Sequence, residues 1–458
     1  MTHKKTGVLL PAGNPGNINS VLPARLAASF SVSKNDMKSF IRDFHSEMAR
    51  GLAGRSSSLK MIPTYVDRPT GKEKGTFLAL DLGGTNFRIL MLKLDGRGGA
   101  KVIKAEKFVL DKKVITGPGK AFFDFIASCI GSFLGSNTGG HLDMGFTFSF
   151  AVEQTGVASG TLSHWTKGFS AAGVLGKDVV MLLYEAMLRK GIRNVSIKAL
   201  ANDTVGTLVS RAYADPACDM GVILGTGTNA CYSEYLSNVP KWRGTDTPGG
   251  RMIINTEWGN FNKVKRTYYD KAVDRISDNR GQQIMEKMVS GMYLGEIVRL
   301  VCGALISDNR LFGGRRTPVF FEAQGFRSEY VSRIERDRTR DLSDVGSMLK
   351  ELGVTGSTVP DRILVLEVCR LVSLRASRIS AAAIAAVITR MDGALSRRHT
   401  VAMDGSVYEK HPNFAGHIRT ALNELFGIKA RRIKISLTKD GSGKGAAIIA
   451  SVAASSNI

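Results

Sequence analysis

Cysteine is scarce in this chain and never paired. Five occur in 458 residues, at Cys129, Cys218, Cys231, Cys302 and Cys369, widely spaced and with no CxxC. An odd, scattered set argues against a disulfide framework or a zinc site; it fits a reducing compartment in which the thiols act as small buried apolar groups. No apolar run approaches the ~20 residues that span a bilayer. The opening "MTHKKTGVLLPAGNPGN" holds only a three-residue apolar segment, so neither a secretory signal nor a membrane anchor is expected. The two commonest phosphate fingerprints are absent too: nothing matches GxxxxGK[ST], and "GTGTNA" lacks the last glycine of GxGxxG. The net charge is +23, yet the basic residues come only in small clusters such as "GGRRTP", "SRRH" and "KARRIK". Without a Lys/Arg block or an aromatic–basic ladder, no nucleic-acid partner is expected, and an enzyme with an anionic substrate fits the charge better.

What the chain does contain is alternation of strands and helices, which argues for α/β architecture in two to three domains. Residues 1–32 are rich in Gly, Pro, Asn and Ser and read as a loose or surface segment. In "SKNDMKSFIRDFHSEMARGLAG", Met37, Phe40, Ile41, Phe44 and Met48 form one helical stripe, with Gly51 placed to cap it. "MGFTFSF" and "SIKALAND" read as strands on either side of the helical "DVVMLLYEAMLRKG". "GQQIMEKMVSGMYLGEIVRLVCGAL" reads as one long amphipathic helix. The still longer helical stretch from "DRILVLEVC" ends in the Ala-rich "SAAAIAAVI", which reads as core.

Four times an apolar strand runs into a Gly/Ser/Thr turn: "LDLGGTN", "LGTGTN", "MDGS" and "KDGSG". Glycine lets backbone approach a ligand, and successive backbone N–H groups make an anion-binding concavity. One such turn is ordinary; four at strand ends suggest a phosphate chain gripped from several sides. In the first, Asp81 is placed to organise water around Mg2+, Gly83 and Gly84 to admit phosphate, and Thr85, Asn86 and Arg88 to lie close to it. A second kind of polar density follows in "SHWTKGFS" (Thr166, Lys167), "ALANDTVGT" (Asn202, Asp203) and "INTEWGNF" (Glu257), joined by Asn229 and Glu286. Singly, each has an ordinary explanation, such as a solvated acid, a surface lysine or a helix cap. Together they suit a polyol, with one acid able to take a hydroxyl proton as a phosphoryl group is transferred.

These segments resemble the hexokinase family. The resemblance runs from about Met61 to Ala450 and is carried by "LALDLGGTNFR", "GFTFSF", "WTKGF", "NDTVGT", "GTGTNACY", "TEWGNF", "MVSGMYLGEIVR", "DGSVYEKHP" and "KDGSGKGAA", in that order. Some segments look closer to its kinetoplastid branch. The resemblance implies a two-lobed, actin-like (ribonuclease H-like) ATPase fold with a sugar-binding cleft between the lobes. Residues 68–203 would form the small lobe and 204–458 the large one, with 33–67 a helical region of the large lobe. The implied reaction is transfer of the γ-phosphoryl of MgATP to the 6-hydroxyl of a hexose, the opening step of glycolysis. Mg2+ would be held mainly by nucleotide phosphates and water, with no protein metal site. Glucose is the expected hexose, with mannose and fructose sharing most of the hydroxyl contacts.

By motif, the resemblance makes Asp203 the base for the sugar hydroxyl, and Lys167 a counter-charge for the moving phosphoryl group. Ser149, Thr166, Lys167, Asn202, Asp203, Asn229, Glu257 and Glu286 would contact the sugar. Asp81, Gly83, Gly84, Thr85, Asn86, Arg88, Thr226, Gly405, Ser406 and Ser442 would line the nucleotide. Two positions depart from the family pattern: Ala151 stands where proline is usual, which predicts a less rigid Ser149 loop, and Thr228 stands for a commoner serine. No proposed catalytic residue is missing, so an active enzyme is expected. A length of 458 residues suits a single catalytic unit, and a cytoplasmic location is expected, with the glycosome as alternative. Two rivals are an ATPase of the same fold with no sugar, and a sugar sensor without turnover. The polyol cluster disfavours the first, and Asp203 with Lys167 the second.

Overall fold

The computed structural model describes residues 22–83, 86–135, 140–165, 168–244 and 249–455. Of the residues singled out above, Gly84, Thr85, Thr166 and Lys167 lie outside that set. After the two-residue strand β1 (Ile62–Pro63), the hairpin β2 (Lys74–Leu82) and β3 (Asn86–Asp95) is extended by the antiparallel β4 (Ala100–Val109). β5 (Leu142–Phe148) lies parallel on the other side of β2. The chain then makes a separate two-stranded unit, β6 (Ala151–Gly156) and β7 (Ser159–His164), before β8 (Val195–Ala201) closes the sheet parallel to β5.

The second half repeats this plan. β9 (Cys218–Leu224), β10 (Thr228–Tyr235) and β11 (Arg251–Asn255) are antiparallel, and β12 (His399–Asp404) and β13 (Ile433–Leu437) follow parallel to β9. The sheet orders are β4-β3-β2-β5-β8 and β11-β10-β9-β12-β13, with β1 added at the β11 edge. Numbered within each lobe, both read third, second, first, fourth, fifth. This duplication explains why the glycine turns recur: in each sheet the carboxyl ends of the parallel strands gather on one side, where open α/β sheets bind ligands.

Each lobe has its own core, and a third apolar layer lies between them. That layer is built by helices Asp203–Ala212 and Gly441–Ser455, the second carrying the fully buried run from Ala446 to Ala450. Small residues let the backbones meet: a Cβ on Gly445 would sit 2.0 Å from the Gly206 carbonyl oxygen, and one on Gly145 of β5 would sit 1.9 Å from that of Ala446. Residues 204–458, read from the sequence as one larger lobe, thus end in a helix that lies on the small-lobe sheet.

Three local expectations need correction. The segment before residue 33 is not all loose: Ala24–Phe30 is a helix, and Phe30 is buried with the Arg375 guanidinium 4.4 Å from its ring. Gly51 lies inside helix Lys34–Leu52, not at its cap; a Cβ there would meet the Leu59 carbonyl oxygen at 2.2 Å, so close chain approach explains the glycine. The long helix expected over "GQQIMEKM…" splits into Glu286–Val289 and Leu294–Ser307. It breaks because the N–H groups of Gly291 and Met292 donate to the carbonyls of Gly225 and Thr226, at 2.7 and 3.1 Å. Helix Val359–Met391, capped by Thr358 and Asp361, is long and apolar enough to cross a membrane, but 89% of its most apolar window is buried in the protein. It is the central core helix of the larger lobe.

All five thiols are buried. Burial pushes Cys129 up to about 11 and Cys218 up to about 12, and raises the other three further. A disulfide reagent is therefore expected to titrate none of them in the native protein at neutral pH and all five after denaturation.

Candidate active site

β2 carries Asp81 to the lobe interface, where the carboxylate is 8% exposed. Its Oδ2 accepts from Arg88 Nη2 at 2.7 Å and from Ser442 Oγ at 2.9 Å. Arg88 also pairs with Asp440, in the turn before the last helix. Burial alone would depress the Arg88 pKa; the Asp81 and Asp440 carboxylates outweigh it and raise it above the ordinary value. Gly83 lies beside Ser149, to whose Oγ a Cβ would come within 3.5 Å, and the Ser149 N–H donates to the Leu82 carbonyl. Asp81, Gly83, Asn86, Arg88, Ser149, Asp203 and Ser442 line one cavity of about 410 Å3, together with Lys107. The first and last glycine turns thus share a single space with the proposed base.

The other two turns also meet. Gly405 has φ 113°, and a Cβ on it would lie 2.4 Å from the Leu224 carbonyl, so the turn after β12 is pressed against the Gly225–Gly227 turn. Thr226 is exposed at its tip, and a Cβ on the adjoining Gly225 would lie 3.6 Å from the backbone nitrogen of Ser406, at the start of its short helix. Asp404 is raised above its usual range by burial, opposed by the Gly405 N–H that donates to it.

The sugar-type residues come in two groups: Asn202 and Asp203 at one helix start, where Asp203 lines the cavity with Ser149, and Asn229, Glu257 and Glu286 by the second sheet, none of which lines it. Asn202 caps helix Asp203–Ala212, accepting from Thr204 N at 2.9 Å and Oγ1 at 2.6 Å. Asp203 is the first residue of that helix and accepts from the same Thr204 N–H at 2.8 Å. Its carboxylate stands at the helix N-terminus, where the backbone dipole favours negative charge. The capping explanation for Asn202 is therefore real, and it occupies the side-chain oxygen. On the second sheet, Asn229 Nδ2 donates to Glu257 Oε1 at 2.8 Å and to Asn255 Oδ1 at 2.9 Å, and Asn255 Nδ2 donates to the same Glu257 oxygen at 2.8 Å. Glu257 is held at φ 54°, ψ 46°, a left-handed conformation costing ~1–2 kcal/mol for a side-chain-bearing residue; the paired amides fix the carboxylate that this strain aims. Glu286 is not a solvated acid. It accepts from the Thr228 N–H at 2.8 Å and lies so close to Gly227 that a Cβ there would meet its Oε2 at 2.7 Å.

Asn255 and Asp440 were not singled out from the sequence. Asn255 had a usable signal, since a polar residue ending the apolar "MIIN" strand repeats the pattern that drew attention to Asp81. Asp440 lies in the quoted "KDGSG" turn, but its pairing with Arg88, 352 residues away, leaves no mark in the sequence. Truncating Asn255 would remove one of the two amide donors to Glu257 and leave Asn229 to hold that carboxylate alone. Asn255→Ala is expected to raise the sugar KM about tenfold with the ATP KM unchanged, in steady-state assays varying each substrate.

The two departures from the family pattern are accommodated. Thr228 Oγ1 accepts from the buried Trp258 Nε1 at 2.9 Å and donates to the Ile223 carbonyl, so a hydroxyl is what the position requires. The Ser149 loop is steadied by aromatic packing: Phe150 lies 4.7 Å from Phe148, 5.0 Å from Trp165 and 4.8 Å from Phe169, centroid to centroid. Trp165 in turn donates to the Ala171 carbonyl at 3.1 Å.

Comparison with known proteins bears on the family and the fold. Two family models described as hexokinase match residues 24–213 and 219–452. The chain is 43% identical over 423 residues to rice Hexokinase-2, covering 88% of this chain and 85% of that protein. It is 41% identical over 437 residues to rat Hexokinase-3, covering 93% of this chain but 46% of the relative, so it spans about half the length of such mammalian relatives. Among solved structures, a hexokinase from Schistosoma mansoni complexed with glucose superposes with a TM-score of 0.84 at 37% identity, over 93% of this chain and 97% of that one.

Proposed function

This chain belongs to the hexokinase family, and from that premise we propose that it transfers the γ-phosphoryl group of MgATP to the 6-hydroxyl of a hexose, glucose first. The observation that carries the reading is the shared cavity: Asp203, with Ser149 beside it, lies in one space with Asp81, Gly83, Arg88 and Ser442. A hydroxyl acceptor and a phosphate chain can therefore be held against the same carboxylate. Bound MgATP supplies the transferable phosphoryl group and ADP as leaving group, with the metal neutralising charge on the phosphates. The ion would be held mainly by the nucleotide phosphates and water.

The chain's own residues do the rest. Asn229, Glu257 and Glu286 bind and orient the ring hydroxyls, with Asn202, Ser149, Thr166 and Lys167 completing the set. Asp203 takes the O6 proton as the new O6–P bond forms and the bond to the bridging oxygen of ADP breaks. Arg88, Ser442 and the Gly83, Gly225–Gly227 and Gly405–Ser406 backbones hold the phosphates, and Lys167 offsets charge on the moving group. In-line positioning and fixed charge account for most of the rate in such transfers. Lobe closure over the sugar would exclude water as a competing acceptor.

The test is a coupled assay for hexose 6-phosphate with MgATP and glucose. Glucose-dependent product is expected. ATP hydrolysis that ignores added glucose would move the reading to an ATPase of the same fold, and a folded, ATP-binding chain with no product would move it to a sensor.

A further inference from the structure

We propose that Gln154 is a positioning residue for the sugar, a side-chain amide that holds the two groups of sugar residues in step; the proposal rests on the kinase reading above. Its Nε2 donates to three backbone carbonyls, those of Leu200 at 3.0 Å, Gly156 at 3.1 Å and Thr64 at 3.2 Å. An oxygen in that place would face three carbonyl oxygens, so the nitrogen is the atom that belongs there.

Two of those carbonyls lie where the chain changes sheets. It passes from the second sheet to the first between β1 and β2, and returns between β8 and β9. Thr64 directly follows β1, and Leu200 is the last residue but one of β8. Thr64 is itself fixed to the second sheet: its N–H and its Oγ1 both donate to the Ile253 carbonyl, at 3.2 and 2.7 Å, and the Ile253 N–H donates to the Val66 carbonyl at 2.8 Å. Ile253 lies on β11, the strand that runs into Asn255 and Glu257. Leu200 lies on the strand that runs into Asn202 and Asp203, and Gln154 is on β6, the strand that leaves the Ser149 loop. One amide thus joins the roots of the Glu257, Asp203 and Ser149 segments.

An amide nitrogen carries two protons, so the three carbonyls must share them. Shared bonds can shift between acceptors, and the amide can follow a movement of either crossing without losing both. Without it, the sugar alone would have to bring Glu257 and Asp203 into register, and ordering groups on binding costs affinity.

The competing explanation is local: Gln154 satisfies the Gly156 carbonyl two residues on and so steadies the β6–β7 turn. That turn has other ties, since the Thr155 and Ser159 hydroxyls bond at 2.8 Å and the Leu200 N–H donates to the Val157 carbonyl at 2.7 Å. A local role has no use for Thr64, 90 residues away, and it predicts lost stability with no preference between substrates.

The experiment is calorimetric titration of the chain and of Gln154→Met with glucose and with MgADP, beside thermal melts and steady-state rates. Methionine keeps the reach of the side chain and has no donor. Glucose is expected to bind about fivefold to tenfold more weakly to the variant and MgADP within about twofold of the parent, with the glucose KM rising alike and kcat falling less than about threefold. Should a methionine facing three carbonyls prevent folding, Gln154→Ala leaves room for water to satisfy them without tying them to β6, and it is read in the same way. A lower melting temperature with glucose affinity unchanged would overturn the assignment in favour of the local role. Equal losses for both probes would overturn it by making Gln154 a general support of the fold. Turnover by the parent is scored separately: a parent that binds glucose but forms no product would sink the kinase reading while the glucose-over-ADP difference still decided Gln154, and a parent that binds no glucose would sink both.

Discussion

Asp203→Ala is expected to lower kcat about 10³- to 10⁴-fold, a loss at the upper end of what a single positioned proton acceptor contributes, while glucose binds within a few-fold of the parent. The two halves of that expectation have separate structural grounds. The loss in kcat follows because O6 cannot attack phosphorus efficiently while it keeps its proton, and the cavity residues include only one other carboxylate, Asp81, which is already engaged by Arg88 and Ser442. Binding and fold survive because the Thr204 N–H that Asp203 caps is also accepted by Asn202 at 2.9 Å. The helix start therefore keeps its cap, and the proposed sugar contacts of Asn229, Glu257 and Glu286 are left unaltered.

Asp203→Asn sharpens the test, since it preserves the shape and the hydrogen bond but cannot take the proton. It should fall nearly as far as the alanine variant. If the asparagine variant kept more than about a tenth of the parent kcat, proton transfer to this carboxylate would not be part of the limiting chemistry, and Asp203 would be a sugar-positioning residue only.

The chemistry of this site was legible because it lies at strand ends. A buried strand announces itself by apolar residues, so an acid or a glycine that closes it stands out against them. That is how Asp81, Asp203 and Gly405 could be read from local sequence alone. The duplicated sheet was legible only as four similar turns; that both sheets share one strand order depends on pairings between strands far apart in the chain. Pairings that join distant segments left no local mark, which is why the Arg88–Asp440 ion pair appears only in the folded structure. The misread helix over "GQQIMEKM…" failed for a related reason. Its periodicity is helical throughout, and what breaks it is a pair of backbone hydrogen bonds to a turn some sixty residues earlier, which outweigh local propensity. Glu286 was read as a sugar contact against the odds for an acid on a helix, and the fold holds it against the Thr228 N–H, a partner the sequence does not show.

Gly445→Ala should be the most damaging single-methyl change outside the site. The added Cβ would lie 2.0 Å from the carbonyl oxygen of Gly206 and 2.4 Å from its carbonyl carbon and Cα, all backbone atoms that cannot rotate aside. One of two helices must move, and each carries part of the site: Asp203 opens one, and Ser442, bonded to Asp81, opens the other. Overpacking usually costs 1–3 kcal/mol, and with backbone on the receiving side a loss of about 3 kcal/mol or more is expected, accompanied by a fall in kcat. Gly145→Ala should behave similarly, since its Cβ would meet the Ala446 carbonyl oxygen at 1.9 Å. Gly206→Ala should be milder, its nearest contact being 2.7 Å, to the Ser442 carbonyl oxygen. Gly416→Ala supplies the control: it lies in helix Phe414–Phe426 with nothing within 4 Å of the added atom, and removing a helical glycine there should stabilise by up to ~1 kcal/mol. Thermal melts of the four variants check the ranking. Should Gly445→Ala melt with the parent while retaining activity, the two helices cannot cross as closely as described, and the interlobe layer would be a loose contact instead of the fixed support on which Asp203 and Ser442 are set.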